Sequence, residues 1–271
     1  MGSLSATEIS AAAGLIELAL QEDLGSAGVP GDITTASFVA DVDGSTTMVA
    51  RQAGVVAGLP IAEMVFARID PRLLFTPHIA DGSRVRRGDP LASISGPMTS
   101  VLAGERIALN FVQHLSGIAT LTRQYVDAVA SLPARILDTR KTLPGWRVLA
   151  KYAVRQGGGF NHRMGLFDMI LIKDNHWKAM PSPRDLAKWI RDFRVANPSI
   201  PVEVEVESLP QFDETLAAAP DIVLLDNMSL EMMREAVRRR NAVAPTVLLE
   251  ASGGVTLQSV RGIAETGVDR I

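Results

Sequence analysis

Charged residues fall where successive strands should end: Asp138 after RIL, Lys173 after MILI, Glu205 in VEVEV, Asp226 after IVLL and Glu250 after VLL. One such residue marks only where a strand meets solvent. Five in succession, on repeated strand–helix units, make the rim of a barrel-type active site. Their signs are partitioned. Residues 135–178 hold nine Lys/Arg against three Asp, a balance of +6, and residues 201–235 hold nine acids against one Arg, a balance of −8. Arginine forks take carboxylates and phosphates, whereas Asp and Glu oxygens suit Mg²⁺. A phosphorylated substrate carried by magnesium, meeting a second, acidic substrate, satisfies both halves. The run Arg238, Arg239, Arg240 has the plainer reading of a solvated helix face.

Within VEVEV, Glu203, Glu205 and Glu207 share one face and Val202, Val204 and Val206 the other. The valines should pack under helices, which aims the acids into the barrel. Three buried carboxylates would need a metal or basic partners, and Glu205, near the rim, is the expected ligand. ASGGVT at 251–256 follows a strand and precedes a helix, where small residues let backbone N–H groups approach a phosphate. GGGFNHR at 157–163 fits neither GxGxxG nor the Walker pattern, and its expected use is to place His162 and Arg163 at the mouth. His78 and His114 read as structural. His176, after KDN, is open between a structural and a site role.

The elements that must position these residues follow from periodicity. Ser5 and Glu8 form a capping box for a first helix carrying Ile9, Ile16 and Leu20, which Gly25 stops. A turn-rich stretch at 25–35 leads to a strand near 46–51, a short helix opened by Pro60, and short strands broken by Gly and Pro in DGSRVRRGDPLASISGP. Residues 99–130 read as helix, divided at Gly117. From residue 134, strands RILDT, MILIK, VEVEV, IVLLD, VLLEA and VDRI alternate with helices near 146–156, 183–196, 208–219, 229–241 and 256–265. Six βα-type strands predict an incomplete, open TIM-like α/β barrel, with a doubly wound sheet as the competing architecture. The expected division is residues 1–115 and 116–271.

Composition excludes several classes. The 271 residues are 47% hydrophobic and 21% charged with net charge −3, which suits a folded chain. With no Cys, disulfides, thiolate nucleophiles and zinc–cysteine sites are excluded. A pI near 5.8 argues against nucleic acid as the partner. No stretch approaches 18 apolar residues, and MGSLSATE has neither a secretory pattern nor, with Ala6, a myristoylation pattern. A soluble cytoplasmic protein, with no membrane partner, is the expectation.

DTRKTLPGWRVLAKYAVRQGGGFNHRMGLFDMILIKDNH, residues 138–176, closely resembles the central motif block of the quinolinate phosphoribosyltransferases. EDLG, GDITT, ERIALNFVQHLSGIAT, EVEVES, LLDN and SGG are similar to further motifs of that family, in matching order over nearly the whole chain. The resemblance implies an N-terminal α/β sandwich domain before the open barrel, and transfer of phosphoribose from phosphoribosyl pyrophosphate to quinolinate with Mg²⁺. Pyrophosphate and CO₂ leave, and nicotinate mononucleotide enters NAD synthesis. It implies a dimer, or a hexamer of dimers, with each site closed by its neighbour. Arg140, His162, Arg163 and Lys173 match positions that hold the quinolinate carboxylates, with Thr139 in the substrate-binding set. Arg106 matches an arginine donated across the dimer. Lys141, Glu205 and Asp226 match catalytic positions around ribose, pyrophosphate and magnesium, the last two as metal ligands. Ser252, Gly253 and Gly254 match phosphate-loop positions.

The chain departs from the family in three ways. It stops at Ile271, before a Gly-rich segment and a His-containing phosphate loop, so its C-terminal end reads as truncated. Trp146, Phe160 and Trp177 stand where smaller apolar residues are expected, as packing variants or a narrowed pocket, and Ala251 replaces a Ser. The nearest rival is a paralogue acting on another acidic aromatic substrate, such as the molybdenum-transport-associated relatives. From another class comes a Schiff-base aldolase using Lys173. A biotinyl- or lipoyl-type carrier is suggested by DGSRVRRGDPLASISG, but no lysine sits at the expected hairpin tip.

Overall fold

The computed structural model describes residues 4–25, 31–40, 42–179 and 185–271. Residues 26–30 of the expected turn-rich stretch, and 183 and 184 of the helix expected from 183, lie outside the described residues. The chain forms two compact units. One holds the residues up to Arg123 together with Lys141–Gly159, and the other holds Gln124–Arg140 with Phe160–Ile271.

In the first unit, α1 (Ala6–Leu24) begins at the expected box: Ser5 N–H donates to Glu8 Oε2 at 2.8 Å and Glu8 N–H to Ser5 Oγ at 3.3 Å. Its inner face is Ala12 and Ile16, while Ile9 is 47% exposed and points away from the core. There follow α2 (Ile33–Phe38), β1 (Asp43–Val49), β2 (Gly54–Val55), α3 (Leu59–Ile69), β3 (Leu74–Pro77), β4 (Arg84–Val85), β5 (Pro90–Pro97) and α4 (Met98–Ala128). An antiparallel sheet runs β1-β5-β3, with β2 and β4 paired beside it. Helix α3 follows Gly58, a left-handed N-cap (φ 105°) that as glycine has no side chain to cap the first turn. Asp81 does so instead, accepting from the Gly58 and Leu59 N–H groups and from the Tyr152 hydroxyl at 2.6 Å.

Gly117 does not divide α4, which is continuous. Its neighbours explain why: Ser116 Oγ accepts from Ala57 N–H and Thr120 Oγ1 from Val55 N–H, each at 2.9 Å, so an unbroken helix completes the hydrogen bonds around β2. Helix α5 (Arg147–Gln156) packs in this unit, with Leu149 and Ala153 in its core. Trp146 stacks on Phe111 at 5.2 Å and meets His114 edge-on at 4.8 Å, a packing role for both Trp146 and His114.

The second unit contains β6 (Ile170–Ile172), α6 (Asp174–Ala179), α7 (Leu186–Ala196), β7 (Val202–Val206), α8 (Leu209–Ala217), β8 (Ile222–Asp226), α9 (Leu230–Val243), β9 (Leu248–Ser252) and α10 (Val260–Ala264). The parallel sheet runs β6-β7-β8-β9 in chain order, without the reversal a doubly wound sheet requires. Two of the six expected strands, RILDT and VDRI, are not strands. They join the sheet only through parallel bridges, Glu250 to Arg270, Arg270 to Arg135, and Leu137 to Phe160. The barrel is therefore open, with four full strands among the described residues. Val204, Val223 and Leu249 line its outer face beneath Ile190, Phe212 and Ala236.

Candidate active site

Strand register decides which side chains share the inner face. Glu205 pairs with Leu224, and Leu224 with Glu250; one step on, Val206, Leu225 and Ala251 align and join the helix-side core. Inner-face residues therefore come in layers two residues apart. The lower layer is Leu171, Glu203, Ile222 and Leu248, and above it stand Glu205, Leu224 and Glu250, with Lys173 one residue past the Ile172–Val204 pair. Asp226 and Ser252 pair at the top. Glu250 is thus mid-strand and only 6% exposed, not at the rim as the sequence suggested. Glu203 is fully buried, while Glu207 lies beyond the strand, exposed, so two buried carboxylates rather than three need partners.

Glu203 and Glu250, from successive layers, meet His162. Its Nε2 lies 3.0 Å from Glu203 Oε2 and 3.4 Å from Glu250 Oε1. Arg270 Nε stands 3.5 Å from Glu250 Oε2. Burial first, and then the charge of Glu203, push the Glu250 carboxyl up to about 7, against the opposing pull of His162 and Arg270. Asp138 organises the loop above: it accepts from Asn161 Nδ2 at 2.6 Å and from His162 N–H at 3.0 Å. Arg163 N–H donates to His162 Nδ1 at 2.8 Å, and Arg163 Nη1 to the Met169 carbonyl at 3.2 Å. Asp168 closes the loop by accepting from Met164 and Gly165 N–H. Burial, and then the adjacent Arg140 guanidinium, hold Arg163 below its ordinary pKa, with Glu203 and Asp168 opposing. Two guanidinia whose charges oppose each other in this way are an arrangement chemically suited to an anion.

Lys173, at the rim, pairs through Nζ with Glu205, which stands level with Glu250. Asp226 accepts from Asn227 Nδ2 at 2.8 Å. Asn227 itself takes φ of 52° and donates its N–H to the Ser252 carbonyl at 2.9 Å. Gly253 (φ 94°) fits against it, since a Cβ there would lie 2.1 Å from Asn227 Oδ1. The helix expected over 256–265 is only Val260–Ala264, so the Ser252–Gly254 turn presents loop amides rather than a helix N-terminus.

Comparison with known proteins accounts for this arrangement. The family described as quinolinate phosphoribosyl transferase, N-terminal domain, matches residues 32–116, and the corresponding C-terminal domain matches residues 118–271. The chain belongs to the quinolinate phosphoribosyltransferase family. It is 47% identical over 271 residues to the nicotinate-nucleotide pyrophosphorylase (carboxylating) of Mycobacterium leprae, covering 98% of this chain and 93% of that one. A probable enzyme of the same name from Bacillus subtilis is 40% identical over 92% of this chain and 83% of its own length. The solved nicotinate-nucleotide pyrophosphorylase of Francisella tularensis superposes with a TM-score of 0.88 at 38% identity, over 96% of this chain and 89% of that one.

In this phosphoribosyltransferase, the second unit holds Thr139, Arg140, His162, Arg163, Lys173, Glu205, Asp226, Ser252, Gly253 and Gly254, whereas Arg106 and Lys141 belong to the first unit, both exposed. His176 Nδ1 accepts from Lys173 N–H at 2.9 Å and closes the first turn of α6. Phe160 lies under the Arg135 guanidinium at 4.9 Å, and Trp177 packs against the core behind the sheet. Sequence reasoning named Asp138 and Glu250 as strand-end site residues and aimed Glu203 into the barrel, but missed the Glu203–Glu250–His162 cluster and the supports Asn161, Asp168 and Asn227. For Asn227 the usable signal was an Asn directly after the strand-ending Asp226, because Asn tolerates positive φ. No helix among the described residues is long and apolar enough to cross a membrane.

Proposed function

We propose that this phosphoribosyltransferase joins quinolinate to phosphoribosyl pyrophosphate in the cytoplasm, as the decarboxylating step that yields nicotinate mononucleotide for NAD synthesis. The observation that carries the reading is the Arg140–Arg163 pair, with Arg163 partly desolvated, beside a rim carrying Lys173. Quinolinate is a dianion, and Arg140, Arg163 and Lys173 supply its counter-charges, while His162 belongs with that set through Arg163. Arg106 closes the site from the neighbouring subunit of a dimer, or of a hexamer of dimers; Thr139 joins the substrate-binding set, and Lys141 has a catalytic role toward ribose and pyrophosphate. Backbone amides of Ser252, Gly253 and Gly254 receive the phosphate.

The carboxylates of Glu205 and Asp226 come from adjacent strands on one face, an oxygen donor set that fits Mg²⁺. When bound there, Mg²⁺ neutralises pyrophosphate charge. The pyridine nitrogen attacks the anomeric carbon as the bond to pyrophosphate breaks, and positive charge develops on the ribose. Glu205 and Asp226 face that charge, and positioning with electrostatics carries the rate. The C2 carboxylate then leaves as CO₂; the cationic ring nitrogen stabilises the electron pair left at C2, which takes a proton.

Lys173 is ion-paired with Glu205 and its side chain is 43% exposed, unlike the desolvated amine a Schiff-base enzyme requires. A pyrophosphate-release assay separates the readings. Turnover with quinolinate and little with nicotinate supports the proposal; the reverse order assigns the chain to another substrate, and borohydride trapping would establish the aldolase.

A further inference from the structure

Both imidazole nitrogens of His162 are engaged inside the protein. Nδ1 accepts from Arg163 N–H at 2.8 Å, so it carries the lone pair. The proton of the neutral ring then sits on Nε2, which faces Glu203 Oε2 and Glu250 Oε1. The ring's side chain is 9% exposed, and no ring atom is left to hydrogen-bond a substrate. The three potential ligand atoms lie within 4.8 Å of one another, the spacing of a metal site. An Nε2 that bears a proton cannot ligate, however, and the geometry serves the imidazole instead. Glu203 Oε1 and Glu250 Oε2 accept no hydrogen bond among the described residues, a costly arrangement for buried carboxylates that a fixed N–H donor offsets.

We propose that His162 is a positioning residue. Glu203 and Glu250 hold its imidazole in the Nε2–H form, and its Nδ1 fixes the backbone of Arg163 so that the guanidinium stands beside Arg140. The Met169 carbonyl steadies the other end of the same side chain. The loop is anchored from below as well, because Asp138 holds the His162 N–H. This rests on the quinolinate reading for the role of Arg163 and revises the direct contact that the family resemblance implies for His162.

Nitrogen-15 NMR of histidine-labelled protein, with the signal assigned by its loss in His162→Asn, tests the geometry directly. The expected spectrum shows a protonated Nε2 and a bare Nδ1; a protonated Nδ1 overturns the proposal. Kinetics test the function. His162→Ala should raise the quinolinate KM on the order of 10–100-fold through misplaced Arg163, leaving the KM for phosphoribosyl pyrophosphate in place. His162→Asn, whose Oδ1 replaces Nδ1 as acceptor, should recover most of that loss. In an Arg163→Ala background, His162→Ala should cost almost nothing more. An Asn variant as impaired as Ala, or fully additive effects in the cycle, would refute positioning. Absence of quinolinate turnover by the wild type would sink the reaction reading instead, and the NMR result would still decide the imidazole geometry.

Discussion

Replacing Glu250 with Gln removes a carboxyl whose proton is held far more tightly in the folded protein than in the unfolded chain. Its pKa rises from 4.5 to about 7 because it is buried and faces Glu203. A group raised in this way contributes stability that is complete below 4.5 and is lost as pH climbs through 7. Linkage over that interval gives a loss of about 1 kcal/mol at pH 5 and about 3 kcal/mol at pH 8, so wild type forfeits about 2 kcal/mol between them. At 6% exposure, solvent does little to screen the effect. Gln keeps the shape and stays neutral, so the Glu250→Gln variant should gain on wild type by that amount from pH 5 to pH 8. For a chain of 271 residues this corresponds to roughly 4 °C of relative Tm. Thermal melts of both proteins followed by circular dichroism, at pH 5, 6, 7 and 8, measure the difference, in which titrations common to both cancel. A gap that stays flat across the series would refute the reasoning. A gap that grows toward low pH would show that His162 and Arg270 outweigh burial and Glu203.

Arg140→Ala should lower kcat/KM for quinolinate by orders of magnitude, because it leaves Arg163 without the second fork of the anion receptor; near-normal turnover would remove Arg140 from the site. Gly253→Ala places a Cβ 2.1 Å from Asn227 Oδ1 on a backbone with φ of 94°, so the turn must shift. The KM for phosphoribosyl pyrophosphate should rise at least roughly tenfold, with strain of about 1–2 kcal/mol visible in urea unfolding. Asp81→Ala strips the acceptor from the Gly58 and Leu59 N–H groups and from Tyr152. It should cost about 2–4 kcal/mol in the same unfolding assay without changing either substrate's KM, and an unaltered midpoint would show that water caps α3 equally well.

Much of the fold was legible because its causes are local. The Ser5–Glu8 box needs only residues three apart, and β7 shows its two faces through strict Val/Glu alternation. Strand endings were legible for the same reason, and placed Lys173 and Asp226 at the rim, with Glu205 one layer below. RILDT and VDRI carry strand-like composition, yet whether they pair depends on neighbours far away in the chain, and they make only bridges. Gly117 reads as a breaker by propensity, but the hydrogen bonds of Ser116 and Thr120 to the β2 region override it. The assignment of α5 to the first unit likewise rests on packing that no local pattern encodes.

The sequence by itself determined the family, the order of strands and helices, and which charges are available, since composition, periodicity and motif order are properties of the chain alone. Only the tertiary structure decided what those charges do to one another. Glu203, His162 and Glu250 are separated by 41 and more residues, and parallel register brings their polar atoms together in the interior. There burial makes a proton's location, rather than a formal charge count, the property that matters. The same folding sets the Arg140 charge against Arg163, and so concentrates a basic stretch of sequence at one place.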